Sequence, residues 1–235
     1  MTTTCTVCGH PPVDSYELSM HGEATCVAHP AEARCALCSR PRHAGEPGWY
    51  RFTATTVRCP TCTAVAVETQ DQARQHIPRV REEMAALGIR LGQRVRVTLV
   101  EPDDLNLDGR GLCLGRTIGR TWEGSPVTEV VGIHIARGLT ATHFGSTVAH
   151  EIGHAWLAQQ GARHLDLVVE EGVCELFAGA WLKRQRTAFA DTLRQSALDN
   201  PDPVYGAGYR RVREAVVRHG IEAVLSAVCR RGTLP

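Results

Sequence analysis

The sequence predicts an α+β fold: a small metal-stapled module followed by a larger domain with a short sheet and a mostly helical C-terminal half. Three observations carry this. Seven of the ten cysteines lie in the first 62 residues, strand-like patterns occur at 94–101 and 129–136, and after Thr142 the apolar residues recur with helical spacing. Hydrophobic residues make up 43% of the 235 and charged residues 22%, ordinary values for a globular protein. A net charge of +1 leaves no electrostatic footprint for nucleic acid or membrane. The opening MTTTCTVCGH has neither a basic stretch nor an apolar core, so no secretory signal is expected. No apolar run approaches the roughly 20 residues that span a bilayer. The expected location is the cytoplasm, where thiols stay reduced and paired cysteines hold metals more readily than they form disulfides.

Residues 1–65 are rich in Cys, Pro, Gly and Thr and lack apolar periodicity, so this segment needs something other than a core to hold it. The spacings Cys5-x2-Cys8, Cys26-x2-His29, Cys35-x2-Cys38 and Cys59-x2-Cys62 supply eight ligands, enough for two tetrahedral zinc sites. Taken in order, Cys5, Cys8, Cys26 and His29 hold one ion, and Cys35, Cys38, Cys59 and Cys62 the other. His21 is an alternative to His29. Cys113, Cys174 and Cys229 stand singly and read as buried small hydrophobes.

The larger domain is expected over 66–235. A helical pattern runs from Ala64 to about Leu87, with Gly88 as its stop and Pro78 kinking or dividing it. RVRVTLVE at 94–101 alternates as a half-buried strand does, and EVVGIHIA at 129–136 reads as a more buried strand. The Gly-rich stretch 108–124 suggests turns or a short hairpin. Helices are expected at Thr147–Gln160, closed by Gly161, at Leu165–Arg186 and at Ala188–Leu198. After the break at Asn200-Pro-Asp-Pro, YRRVREAVVRHG and IEAVLSAVCRRG read as two short amphipathic helices.

The first of these helices contains His150-Glu151-Ile152-Gly153-His154. Positions i and i+4 share a helix face, so both imidazoles can reach one ion, with Glu151 placed to take a proton from zinc-bound water. A catalytic zinc also needs a third protein ligand. VVEEGVCEL in the next helix offers Glu170, Glu171 and Glu175; the latter two share a face and Glu170 points about a quarter-turn away. Tyr205 and Tyr209, in YGAGY, are candidate phenol donors for a developing oxyanion, set between glycines that read as hinges.

The pattern E-G-x-x-E, opening seventeen residues after His154, resembles the gluzincin arrangement of metallopeptidases. That resemblance implies Glu171 as third ligand and Glu175 as the carboxylate orienting a ligand histidine, and leaves Glu170 as a solvated or helix-start carboxylate. It also implies that EVVGIHIA is the edge strand beside the cleft, with His134 near substrate. More specifically, the C-terminal two-thirds resembles the peptidase domain of the ubiquitin-activated LIM peptidases that restrict seed and organ size in plants. The stretches that carry it are Gly111–Leu114, Gly145–Leu157, Val169–Cys174, Ala180–Leu182, Tyr205–Arg210, Val216–Gly220 and Gly232–Pro235. The resemblance implies a zinc-dependent endopeptidase acting on protein or peptide substrates, with one catalytic and two structural zinc ions. Residues 5–62 look like a divergent LIM module: five residues separate His29 from Cys35 where LIM domains have two, and Cys26 precedes His29 where the order is normally His then Cys. Nothing ahead of Cys5 resembles the family's ubiquitin-interacting region, which speaks against activation by ubiquitin. The compact, Arg/Ala-rich chain suggests a bacterial relative. The alternative reading is an adaptor, binding a protein partner through its zinc module and carrying a weak or inactive peptidase domain. Nucleic-acid binding is not expected, because the module has no basic cluster.

Overall fold

The computed structural model describes residues 4–11, 15–106, 112–121 and 128–235, with backbone alone at 121 and 128. Among them the chain is a mixed α+β structure with a Cys/His-rich module at its N-terminus. Three antiparallel strand pairs build the module: β1 (Tyr16–Leu18) with β2 (Ala24–Cys26), β3 (Ala33–Arg34) with β4 (Pro41–Arg42), and β5 (Tyr50–Arg51) with β6 (Val57–Arg58). A one-turn helix, α1 (Pro60–Ala64), follows Cys59, whose sulfur accepts from the Cys62 amide. Other amides also face sulfur. Val7 and Cys26 donate to Cys5 Sγ at 3.4 Å, and Cys59 donates to Cys35 Sγ at 3.3 Å, contacts that favour thiolate.

The module is joined to the rest by buried bonds. β7 (Ala66–Val67) pairs antiparallel with β11 (Leu139–Thr140). Arg58, 1% exposed, donates to the Gly138 carbonyl and to Thr63 Oγ1, and pairs with Glu68 at 2.5 Å. Cys35, Cys38, Cys59 and Cys62 belong to the same buried cluster as Phe144 and Val148, so one core runs through both parts of the chain.

α2 (Gln70–Ala86) begins at Thr69, which forms a reciprocal capping box with Gln72. The expected helix does not start at Ala64, and Pro78 does not divide it. α1 and β7 come first, and α2 passes through Pro78 as one helix, because Ala73, Ile77, Val80 and Met84 bury a face that spans the proline. β8 (Val97–Val100) leads into α3 (Pro102–Leu105), and the three-stranded sheet is completed by β9 (Gly115–Thr121) and β10 (Thr128–Ala136) in the order β8-β10-β9. β10 runs parallel to β8 and antiparallel to β9. The strand expected at the edge, EVVGIHIA, is therefore central, as the burial of Ile133, Ile135 and Ala136 requires. β8 and β9 are the edges, and β9, with two glycines and two arginines, is the one beside Glu151. Residues 108–111 and 122–124 of the expected Gly-rich hairpin lie outside the described residues, as does Gly111 of the first family-like stretch.

The helical half follows the sequence reading with shifted starts. α4 (Ala141–Gln159) begins six residues early because Thr140 Oγ1 accepts the His143 amide at 3.3 Å. Asp166 caps α5 (Leu167–Gln185) by accepting the Val168 amide at 2.8 Å, and Thr187 caps α6 (Ala188–Asp199). α7 (Tyr205–His219) starts at Tyr205 rather than Tyr209, since Asp202 Oδ1 accepts the Val204 and Tyr205 amides at 2.8 and 2.9 Å. α8 (Ile221–Arg231) closes the chain.

Glycines set how closely these helices pass. In α4, a Cβ at Gly145 would enter the Trp181 ring and one at Gly153 would lie 2.9 Å from Cys174 Sγ. A Cβ at Gly172 of α5 would strike the Gly208 carbonyl of α7, and one at Gly208 the Val168 carbonyl. Gly206 and Gly208 are thus buried packing positions inside α7 rather than hinges. Backbone cannot retreat from a methyl group as a flexible side chain can. Gly172→Ala and Gly208→Ala are each expected to destabilise the fold by about 1–3 kcal/mol, read as a lowered Tm. An unchanged Tm in both would contradict the close approach.

Candidate metal centre and active site

His150 and His154 lie one turn apart on α4, their ring centroids 5.1 Å apart, facing three carboxylates of α5. Both Nε2 atoms approach one oxygen: Glu171 Oε2 is 3.1 Å from that of His150 and 3.5 Å from that of His154. Each Nδ1 has a carboxylate of its own, Glu175 at 3.2 Å for His150 and Glu170 at 2.9 Å for His154. Expected as a solvated or helix-start carboxylate, Glu170 does lie in the first turn of α5 and also holds a histidine, because that turn is close enough to reach across to α4. Burial would push both imidazoles down. Glu171 and Glu175 nevertheless hold His150 well above its ordinary value, and Cys174, Glu170 and Glu171 do the same for His154. Against burial, which raises it, the two imidazoles hold the Glu171 carboxyl down at about 2.

Cys174 is fully buried, as its reading as a small hydrophobe expects, but its sulfur lies within 4.8 Å of both imidazoles. The available signal was its spacing: it follows Glu171 by three residues, one turn along the same face. The set of two imidazoles, three carboxylates and a thiol is anionic and offers N, O and S donors, which suits a divalent cation such as zinc.

Glu151, 4% exposed, faces β9, where Thr117 Oγ1 donates to its Oε2 at 2.8 Å and to its carbonyl at 3.0 Å. A Cβ at Gly115 would stand 2.8 Å from Glu151 Oε1, so the edge strand passes directly over this carboxylate. No motif in the sequence marks Thr117. A cleft of about 990 Å³ opens here, bordered by His150, Glu151, His154, Glu171 and Tyr205, and its lining residues all belong to the chain from Leu105 onward. The Tyr205 ring centroid is 6.4 Å from that of His150. Burial, then the charge of Glu171, pushes the Tyr205 phenol up to about 12, so it keeps its proton and can donate. Tyr209 is buried against Gly179, away from the cleft, and His134 does not line it.

In the module, Cys5, Cys8, Cys26 and His29 gather as one potential ligand group and Cys35, Cys38, Cys59 and Cys62 as another. All ten cysteines are free. Nε2 of His29 is buried without a hydrogen-bond partner among the described residues, an environment that a bound metal would explain. His21 is placed elsewhere: its Nε2 is 3.2 Å from Cys62 Sγ and its ring packs on Phe189 with centroids 4.6 Å apart. No helix of the described residues is long and apolar enough to cross a membrane.

A model of the DA1-like family, described as Protein DA1, matches residues 64–200. Protein DA1-related 2 of Arabidopsis thaliana is 23% identical over 307 aligned residues, covering 98% of this chain and 58% of its own length. Protein DA1 of the same plant is 26% identical over 271 residues, covering 88% and 50%. The LIM domain-containing protein HDR3 of Oryza sativa subsp. japonica is 24% identical over 202 residues, covering 70% and 40%. The chain spans about half the length of the curated relatives it matches. No solved structure matches it significantly.

Two outcomes are expected of this centre. Glu171→Gln should remove one metal ion per chain in elemental analysis, whereas Glu170→Ala and Glu175→Ala should retain it with about 10- to 100-fold weaker affinity; equal retention by all three would contradict the ligand geometry. Because both imidazoles are held protonated without metal, uptake near pH 7 should release about two protons from them. Calorimetry in buffers of different ionisation enthalpy reads this number, and a value near zero would contradict it.

Proposed function

The chain belongs to the DA1-like family, and from that premise we propose that it is a zinc-dependent peptidase cleaving peptide bonds within proteins. His150, His154 and Glu171 are the proposed ligands of the catalytic ion, Glu175 and Glu170 orient the two imidazoles, and Glu151 and Tyr205 do the proton work. The observation that carries this reading is the approach of both Nε2 atoms to one Glu171 oxygen, with each Nδ1 engaged by a separate carboxylate. It favours Glu171 over Cys174 as third ligand because the Glu171 oxygen meets both Nε2 atoms, and the Nδ1 bonds to Glu175 and Glu170 turn those Nε2 atoms toward a metal. A zinc ion held there supplies an acidified water and polarises the scissile carbonyl.

The chain's own groups account for the rest. Glu151, steadied by Thr117, accepts the proton lost by the attacking water and passes it to the departing amine. The Tyr205 phenol donates to the carbonyl oxygen as negative charge builds on it. The outer edge of β9, rather than β10, can receive an extended substrate backbone as a further strand, giving affinity without strong sequence preference. Residues 1–65 form the proposed zinc module, with two structural ions and a surface for a protein partner, and residues 66–235 the peptidase domain. A reducing, cytoplasmic setting fits the free thiols.

Incubation with a denatured protein panel, followed by mass spectrometry of the products, tests the reading. Glu151→Ala should lose about 10²- to 10⁴-fold in rate while keeping its zinc. Identical products from wild type and variant would remove the peptidase reading in favour of an adaptor.

A further inference from the structure

The cleft continues past the metal centre in a second lobe. About 690 Å³ in volume, it leaves His150, Glu151 and Tyr205 along the groove between α4, α5 and α6. The first lobe departs from the same three residues toward Leu157 and Leu165, at the C-terminal end of α4. His143, Ser146 and Thr147 border one lobe and Leu157, Ala158 and Gly161 the other, so the two flank the reacting centre along the α4 axis. A peptide crossing the centre therefore has neighbouring side chains entering different lobes.

Their chemistry differs. Arg116 and Arg163 line the first lobe, whereas among the described residues no Lys or Arg lines the second. Small residues from three helices (Ser146, Ala178, Gly179 and Ala197) leave the second lobe wide, and Leu182 and Leu193 give it apolar surface. Its carboxylates have no Lys or Arg beside them among the lining residues: Glu175 is bonded to His150 at 3.2 Å, and Asp199 accepts from the neutral Gln195 amide at 3.0 Å. Burial pushes His143 down to about 4, so it carries no charge at neutral pH. An acidic side chain placed here would lose water and meet like charge, while a large apolar one would bury most of its surface.

We propose that this second lobe is a side-chain subsite that selects a large apolar residue, aromatic or long aliphatic, at one fixed position beside the scissile bond. The proposal rests on the peptidase reading for the word scissile, but the pocket can be tested without cleavage. A set of otherwise identical peptides carrying Phe, Leu, Met, Ala or Asp at each position in turn is offered to the full-length zinc-loaded protein. At one position Phe, Leu and Met should exceed Ala and Asp by at least about 10-fold in kcat/KM. Ala197→Phe, which fills the lobe, should bring the ratio of Phe to Ala near one; Ser146→Phe serves the same purpose from α4 if Ala197→Phe does not fold.

Binding of the same peptides to Glu151→Ala, read by fluorescence anisotropy, separates this proposal from the one beneath it. If wild type cleaves nothing, yet the Phe peptide binds at least 10-fold tighter than the Ala peptide and filling the lobe abolishes the difference, the subsite stands and the peptidase reading falls. Cleavage with no apolar preference at any position overturns the subsite and leaves the peptidase reading intact. A preference that survives both filling variants overturns it too, as does the absence of both cleavage and selective binding.

Discussion

Two glycine notches let α4 and α5 pass close enough for short carboxylate side chains to reach imidazoles on the facing helix. Trp181 fills the space over Gly145 and Cys174 the space over Gly153, and the second notch lies between the two histidines of the motif. Were α5 displaced outward by a methyl group, Glu170, Glu171 and Glu175 could not all bond to His150 and His154 within 3.5 Å. The bonds are buried, so each must find its partner or leave an unpaired polar group at considerable expense of stability. The interhelical contact thus sets both the geometry and the electrostatics of the centre.

The other walls of the cleft are fixed by similarly local devices. Gly172 and Gly208 bring α7 against α5, and Asp202 caps the start of α7, so that Tyr205 emerges beside His150. On the opposite side, Gly115 and Thr117 bring β9 over Glu151. The glycines at E-G-x-x-E and in Y-G-A-G-Y are therefore complementary: each is small because the other's backbone is there.

Much of this was legible because it depends on local spacing. Four residues on a helix make one turn, so His150 with His154 and Glu171 with Glu175 could be placed on shared faces from sequence alone, and repeated C-x-x-C spacing identified both cysteine groups. What was hidden depends on contacts between distant segments. Glu170 reads as a helix-start carboxylate until α4 is seen beside it, and Thr117 belongs to no motif because it acts through a strand crossing. Period-two alternation gave β8 as a strand and the apolar run gave β10, but neither could order the sheet, which depends on which neighbours bury Ile133 and Ile135. Pro78 could not decide between a kink and a break, and the chain stays one helix because the apolar face of α2 outweighs one missing hydrogen bond.

The N-terminal module shares its second cysteine group with the central core, and Arg58 and β7 tie it to the residues that launch α4. The second cysteine group thus supports the helix that carries the histidines as well as its own segment. The most direct measurement of the central claim is the anomalous difference density at the zinc edge in crystals grown with zinc. A peak bonded by Nε2 of His150, Nε2 of His154 and a Glu171 oxygen at about 2.0–2.2 Å, with the Cys174 sulfur outside bonding distance, is the predicted result. No peak between α4 and α5, or one bonded through Cys174 in place of Glu171, would contradict it.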